Sequence, residues 1–306
     1  MSARRAPRRA IDGVLLLDKP GGISSQTAVT RVKTLFNAAK AGHTDTLDPM
    51  ATGLLPIALG EATKFSSVLL EAGKTYAATV RLGQTTTTGD LEGEVTGTSP
   101  VAVDLPLIEA VLARFRGEIV QTPPMYSALK HAGRPLYEYA REGTEIERVP
   151  RRVTISALTL ESYKAGELCI AVACSKGTYI RVLGEDLGRA LGCGACLSAL
   201  RRTRVGRFDI AEAIGLHALA ELPENVRETR LLPADAMLSG LPMIELDGAE
   251  ARRILRGQAV EVEGGAPAEG LLRLYGPGRA FLGVGARADG GRVEPRRLIA
   301  TKPVNG

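Results

Sequence analysis

Between Gly42 and Pro49 the chain gathers one histidine and two carboxylates, His43, Asp45 and Asp48, in a short polar segment. Asp48 directly precedes a proline, and the proline ring holds the residue before it extended. A carboxylate held in this way can act as nucleophile or general base without a cofactor. A lone Asp-Pro is more often a turn in which the aspartate accepts backbone amides, so the loop alone leaves both readings open. Other chemistry is not signalled. The chain has no GxxxxGK[ST] phosphate loop, no GxGxxG opening a helix and no HExxH. Cys193 and Cys196 are spaced as CxxC, but Cys169 and Cys174 form no second pair and should face opposite sides of a strand. With only His43, His131 and His217 beside them, no metal cluster assembles. Four reduced thiols, no metal and no cofactor are expected.

These residues need elements to hold them. Residues 11–18 read as a buried strand ending at the Lys19-Pro20-Gly21-Gly22 turn. Ser24 or Ser25 can cap a helix with Val29, Val32, Leu35 and Phe36 on one face. Residues 51–60 are apolar and bounded by glycine, and 61–70 read as a helix. Residues 74–82 alternate as a strand with Tyr76, Ala78 and Val80 on one side, and a polar loop is expected over 83–90. Helices are expected over 107–116 (Leu107, Val111 and Leu112 inward), 134–142 and 178–191. Strands are expected over 152–163, 167–175 and 197–210. Without a βαβ rhythm, this order predicts an α+β fold on a mixed, largely antiparallel sheet. The composition shifts near residue 240 to short strand-like runs, one helix over 249–256 and glycine-rich turns, which predicts a small β-rich C-terminal domain.

The 306 residues are 44% hydrophobic, enough for a sizeable core, and the formal net charge is +5. The arginines cluster: Arg4, Arg5, Arg8 and Arg9 in an N-terminal arm, Arg148, Arg151 and Arg152, and Arg201, Arg202, Arg204 and Arg207. Each cluster alone is ordinary solvated surface; together they suit a polyanionic partner such as nucleic acid. No run approaches the ~18 apolar residues of a membrane span. Val14 to Leu17 is too short for a secretory signal. The expected location is cytoplasmic.

The motifs taken in order carry a resemblance. They begin with Lys19-Pro20-Gly21, Lys40-Ala41-Gly42-His43-Thr44, Leu47-Asp48-Pro49 and Gly60-Glu61-Ala62-Thr63-Lys64. Lys74-Thr75-Tyr76, Thr88 and Asp90, and the run from Pro123 to Lys130 follow. Cys174-Ser175-Lys176-Gly177-Thr178-Tyr179-Ile180-Arg181 and Leu200-Arg201-Arg202-Thr203 complete the set. In this order they resemble the TruB family, the bacterial tRNA pseudouridine-55 synthases, over most of residues 11–240. The resemblance implies a pseudouridine-synthase catalytic domain over 11–240 after a basic arm at 1–10, and a PUA-like RNA-binding domain over 241–306.

It further implies isomerisation of one uridine in the T-loop of tRNA. The glycosidic bond breaks, the uracil turns, and it rejoins through carbon 5. By resemblance Asp48 is the catalytic aspartate and Arg181 its pairing partner. Tyr76 stacks on the extruded base with its hydroxyl placed for proton handling. Tyr179 is a second pocket residue that hydrogen-bonds near the aspartate, and Leu200 is an apolar wall. His43 fills the space that the flipped base leaves, and Lys19 and Lys64 are supporting, positioning residues. The implied partner is the T-arm of tRNA, bound by a monomer without guide RNA or membrane.

One position departs from the family pattern: Asp45 stands where glycine is usual. If that glycine serves a positive φ, aspartate replaces it at a cost. A second carboxylate three residues from Asp48 could also repel phosphate and weaken binding. The main rival reading is a tRNA-binding and refolding chaperone with weakened or lost catalysis. More distant rivals are a guide-dependent pseudouridine synthase and a thiol-redox protein using Cys193 and Cys196.

Overall fold

The computed structural model describes residues 7–262, 270–287 and 291–300. Arg4 and Arg5 of the basic arm, and the glycine pair at 264–265, lie outside them. The expected α+β architecture is present as a mixed, largely antiparallel sheet with helices against it, followed by a second, smaller sheet.

The large sheet has ten strands. They are β1 (Gly13–Lys19), β2 (Ala41–His43), β3 (Thr52–Leu59), β4 (Lys74–Leu82) and β5 (Gly117–Gln121). After them come β6 (Arg151–Lys164), β7 (Glu167–Cys174), β8 (Ala195–Val205), β9 (Phe208–Asp209) and β10 (Ile214–Gly215). The spatial order is β10-β1-β3-β8-β4-β7-β6-β5, with β2 beside β3 and β9 beside β8. Among the described residues of this sheet, only β1–β10 and β3–β8 pair in parallel. Four helices matter here: α1 (Ser25–Leu35), α2 (Leu105–Arg114), α3 (Leu136–Arg141) and α4 (Ile180–Ala190).

Local chemistry explains these elements. Ser24 caps α1 by accepting the Thr27 N–H at 3.1 Å, and Asp104 caps α2 by accepting that of Leu107 at 3.0 Å. On α1, Val29, Val32 and Phe36 are buried as their spacing predicts. On α2 the inward face is Ile108, Val111 and Leu112; Leu107, expected with them, is exposed, because it lies about 100° round the helix from Ile108, off that face. Strand β4 alternates strictly, burying Tyr76, Ala78 and Val80. The expected helix over 61–70 is instead a 3₁₀ segment, Gly60–Phe65, and one turn, Ser67–Leu70. The expected loop over 83–90 opens with a two-stranded ribbon in which Gln84–Thr86 pairs with Val95–Thr98.

At the centre, Gly53 of β3 sits between Lys19 of β1 and Arg202 of β8. Its φ is +102°, and a Cβ there would lie 2.3 Å from the Arg202 carbonyl oxygen. Glycine alone allows β3 and β8 to approach so closely.

The second sheet has five strands: β11 (Met243–Glu245), β12 (Val260–Glu261), β13 (Gly270–Gly276), β14 (Ala280–Arg287) and β15 (Arg292–Leu298). Helix α5 (Gly248–Leu255), closed by a reciprocal Asp247–Glu250 capping box, packs on it around Ile254, Leu272 and Val293. The two sheets share an apolar seam: Val284, with Phe281 against it, joins Val14, Leu54 and Phe65, and the Phe65 and Phe281 rings meet edge-on at 5.4 Å.

Gly53→Ala should therefore be strongly destabilising, by more than about 1 kcal/mol, since both its φ and its contacts reject a methyl group. Urea unfolding measures this; a midpoint equal to the parent's would show that β3 and β8 can separate at no cost.

Candidate active site

The loop between β2 and β3 carries Asp48, and four sets of bonds fix it. Ser25 Oγ accepts the Leu47 N–H at 2.8 Å and donates to the Leu47 carbonyl at 3.0 Å. The Ala51 N–H closes a turn on the Asp48 carbonyl at 3.1 Å. Lys19, fully buried, donates its ammonium to the carbonyls of Pro20, Ile23 and Pro49 at 3.0, 2.8 and 3.3 Å. Burial lowers the Lys19 pKa to about 8, against the pull of the Asp48 charge.

The fourth tie is the ion pair. Arg181 Nε donates to Asp48 Oδ2 at 2.9 Å. Its Nη1 donates to the Thr88 carbonyl at 2.8 Å and its Nη2 to the Tyr126 carbonyl at 2.7 Å. The Arg181 side chain is 5% exposed and that of Asp48 33%, so a hidden cation faces a carboxylate that solvent can reach. A second carboxylate, Asp90, lies 3.6 Å from Arg181 Nε and is buried. Burial pushes the Asp48 pKa up; Arg181 pulls it down, Asp90 adds to the rise, and the net direction is upward.

Asp48 opens into a cleft of about 660 Å³ lined also by Tyr76, Tyr179, Arg181 and Leu200. Three separate stretches of sequence thus converge with Asp48 on one space, within the size range of a small-ligand site. Tyr76 on β4 and Leu200 on β8 come together because Leu200 pairs with Ala78 and Arg202 with Tyr76 across the β4–β8 ladder. Burial raises the Tyr76 pKa far above its ordinary value, which keeps the residue a phenol. Tyr179 is the residue before α4. Its N–H donates to Gln121 Oε1 at 3.0 Å, its carbonyl accepts from Gln121 Nε2 at 3.2 Å, and the Arg151 guanidinium lies 5.0 Å from its ring centre. Tyr179, expected as a second pocket residue near the aspartate, lines the cleft together with Asp48.

Other expected residues lie outside the cleft. His43 on β2 is half-buried and does not line it; burial lowers its pKa, and its Nδ1 has no partner among the described residues. Lys64 is also elsewhere. Its ammonium donates to Glu61 at 2.7 Å and to the Leu298 carbonyl at 2.9 Å, tying the second sheet to the first.

Asp45 differs from expectation in two ways. It is not among the positive-φ residues, so the backbone cost anticipated for it is absent. Its charge is also not loose in the cleft. Oδ2 accepts from Arg202 Nη1 at 3.0 Å and lies 3.6 Å from the Lys74 ammonium, and Oδ1 accepts the Thr46 N–H at 2.9 Å. Arg202 is correspondingly not part of a surface arginine row: it is fully buried. Arg201 pairs with Asp18 and Arg204 with Asp209. Arg151 and Arg152 stay at the cleft mouth beside Lys176. Sequence reasoning quoted Asp90 only as a motif residue and gave Gln121 no role. Nothing local marks either residue, since their partners lie on other elements. The four cysteines are free, with Cys169 and Cys174 on opposite faces of β7 as expected.

Comparison with known proteins adds a family context. Residues 33–180 match a family described as "TruB family pseudouridylate synthase (N terminal domain)". Residues 181–239 match "tRNA pseudouridylate synthase B C-terminal domain", and residues 242–299 match "Pseudouridine synthase II TruB, C-terminal". A protein of Azoarcus sp. (strain BH72) named tRNA pseudouridine synthase B is 55% identical over 299 residues, which is 98% of each chain. One of the same name from Burkholderia mallei (strain ATCC 23344) is 54% identical over 302 residues, 97% of each chain. Among solved structures, an H/ACA RNP bound to a substrate RNA containing 2'-deoxyuridine matches with TM-score 0.72 and 25% identity, covering 95% of this chain and 86% of the other. A Cbf5-Nop10-Gar1 complex matches with TM-score 0.71 and 28% identity, covering 95% and 84%.

The electrostatics of the ion pair can be tested without substrate. In a protein with ¹³C-labelled aspartate carboxyls, Asp48 should titrate above the usual aspartate range. In Arg181→Met it should titrate higher still, because the cation that favours the carboxylate is gone. A carboxyl that titrates in the usual range in both proteins would contradict this balance.

Proposed function

The chain belongs to the TruB family of pseudouridylate synthases, and on that premise we propose that it isomerises uridine 55 in the T-loop of tRNA to pseudouridine. The observation that carries the reading is the Asp48 carboxylate, held by the buried Arg181 at the edge of a cleft walled by Tyr76, Tyr179 and Leu200. In the reaction the N1–C1′ bond of uridine breaks, a C5–C1′ bond forms, C5 gives up a proton and N1 gains one. Atoms and electrons balance within the nucleotide.

Each part of the cleft has a task under this reading. Chemistry at the glycosidic carbon needs the nucleotide out of its stack, so the uridine is flipped into the cleft. Leu200 and the Tyr76 ring contact the faces of the uracil while it turns. Asp48 attacks the sugar or the base, or takes a proton from the sugar; each route needs the ionised carboxylate, which Arg181 favours. Tyr76 enters as the neutral phenol, a hydrogen-bond donor that can take part in moving the C5 proton. His43, neutral and at the loop's start, fills the gap the departing base leaves in the RNA. Lys19 stiffens the loop behind Asp48. At the mouth, Arg151, Arg152 and Lys176 contact backbone phosphates. Those contacts set register, while the folded shape of the T-loop selects the substrate.

Incubation with unmodified tRNA, followed by mapping of any pseudouridine, tests the assignment. Product should be confined to the T-loop uridine. Asp48→Asn should lose isomerisation by roughly 10³-fold or more while still binding tRNA; a variant that kept full turnover would remove Asp48 from the mechanism. If the parent protein forms no product but refolds tRNA, the chaperone reading stands instead.

Affinity for tRNA should also fall steeply with salt, and Lys176→Ala should flatten the log–log slope by roughly 0.7–0.9 for its lost phosphate. A parent whose affinity for tRNA does not change with salt would count against the basic cleft mouth as the RNA contact.

A further inference from the structure

Arg202 and Lys74 are two cations held almost completely out of water, with side chains 0% and 5% exposed. Desolvating a cation is costly unless it finds a counter-charge and hydrogen bonds. Arg202 Nε donates to the Leu54 carbonyl at 2.8 Å and Lys74 to the Leu70 carbonyl at 2.9 Å, but neither carbonyl supplies charge. Among the described residues, the one carboxylate within 4.0 Å of either cation is Asp45, and it meets both through Oδ2. Arg202 belongs to β8, Lys74 to β4, and Asp45 to the loop that ends three residues later at Asp48. Asp45 and Lys74 also line the same cleft as Asp48, Tyr76 and Leu200.

We propose that Asp45 is a positioning residue for the reaction: by bridging Arg202 and Lys74 it pins the loop carrying Asp48 against β8 and β4, the strands that hold Leu200 and Tyr76. The proposal rests on the functional reading above. It places the aspartate's effect on the chemical step, through loop geometry, and not on RNA affinity. A carboxylate displaced by about 1 Å can lose two orders of magnitude in rate. Replacing Asp45 by a neutral residue leaves two uncompensated buried cations beside the loop. Neutralising Lys74 as well removes one of them, so the two substitutions should couple.

The test compares the full-length parent, Asp45→Asn, Lys74→Met and the double variant. The readouts are tRNA affinity, single-turnover pseudouridine formation below each protein's melting temperature, and amide hydrogen exchange of residues 42–49. Asp45→Asn should form product at least tenfold more slowly with tRNA affinity within about threefold of the parent, and the loop amides should exchange faster. The double variant should recover at least threefold of the lost rate and part of the lost protection. A single-turnover rate for Asp45→Asn within twofold of the parent would overturn the proposal. So would a loss confined to affinity, or a melting temperature that falls with rate and exchange unchanged, which marks Asp45 as a stabilising counter-ion alone. A parent that forms no pseudouridine overturns the functional reading instead; loop exchange then decides the tether, and unchanged exchange in Asp45→Asn refutes it.

Discussion

A guanidinium removed from water is costly unless its donors find charge and hydrogen bonds, and Arg181 is where that requirement shapes this molecule. Its three bonds reach Asp48, the carbonyl of Thr88 and the carbonyl of Tyr126, residues from three separate segments, while its own backbone begins α4. Losing any one partner would leave a buried donor of a charged group unpaired, which costs more than a typical hydrogen bond contributes. The pair with Asp48 is therefore both an electrostatic device and an architectural one. It holds the carboxylate at a place that solvent can reach.

The same logic recurs on either side of the loop. Lys19 is caged by three carbonyls behind Pro49, and Asp45 meets two hidden cations ahead of Thr46. Each is a polar group satisfied inside the protein by partners that belong to other elements. Each of these contacts ties the loop to a group that water cannot reach. Between them the loop has little freedom, although it is irregular and carries only a few apolar side chains of its own.

Much of this was legible in the residues. The alternation of β4 set Tyr76 on one face with Ala78 and Val80, the Ser24-Ser25 pair marked the start of α1, and the ordered motifs pointed to Asp48, Arg181, Tyr76, Tyr179 and Leu200, which the fold brings to one cleft. What could not be read depended on pairing across the sheet. Arg202 looks like its neighbours Arg201 and Arg204, yet the β8 register and the closeness of Gly53 turn it into the core while they stay at the surface. Lys64 sits in a motif that suggests the site, but its reach is set by the second sheet, some 230 residues later in the chain. Asp45 looked like a liability as long as its partners on β4 and β8 were unknown. Periodicity reports which way a side chain faces, and only tertiary pairing reports what it meets.

The seam between the sheets changes what the break near residue 240 means. Val284 is buried in the same apolar cluster as Val14, Leu54 and Phe65, Phe281 packs against it, and the 3₁₀ segment carrying Phe65 and Lys64 follows directly on β3. The smaller sheet thus covers the underside of β1 and of β3, the strand that leads out of the loop carrying Asp48. Peeling it away would wet both faces at once, so the free energy that keeps either sheet folded includes area belonging to the other. A boundary that is sharp in composition is, on its packed face, a shared wall.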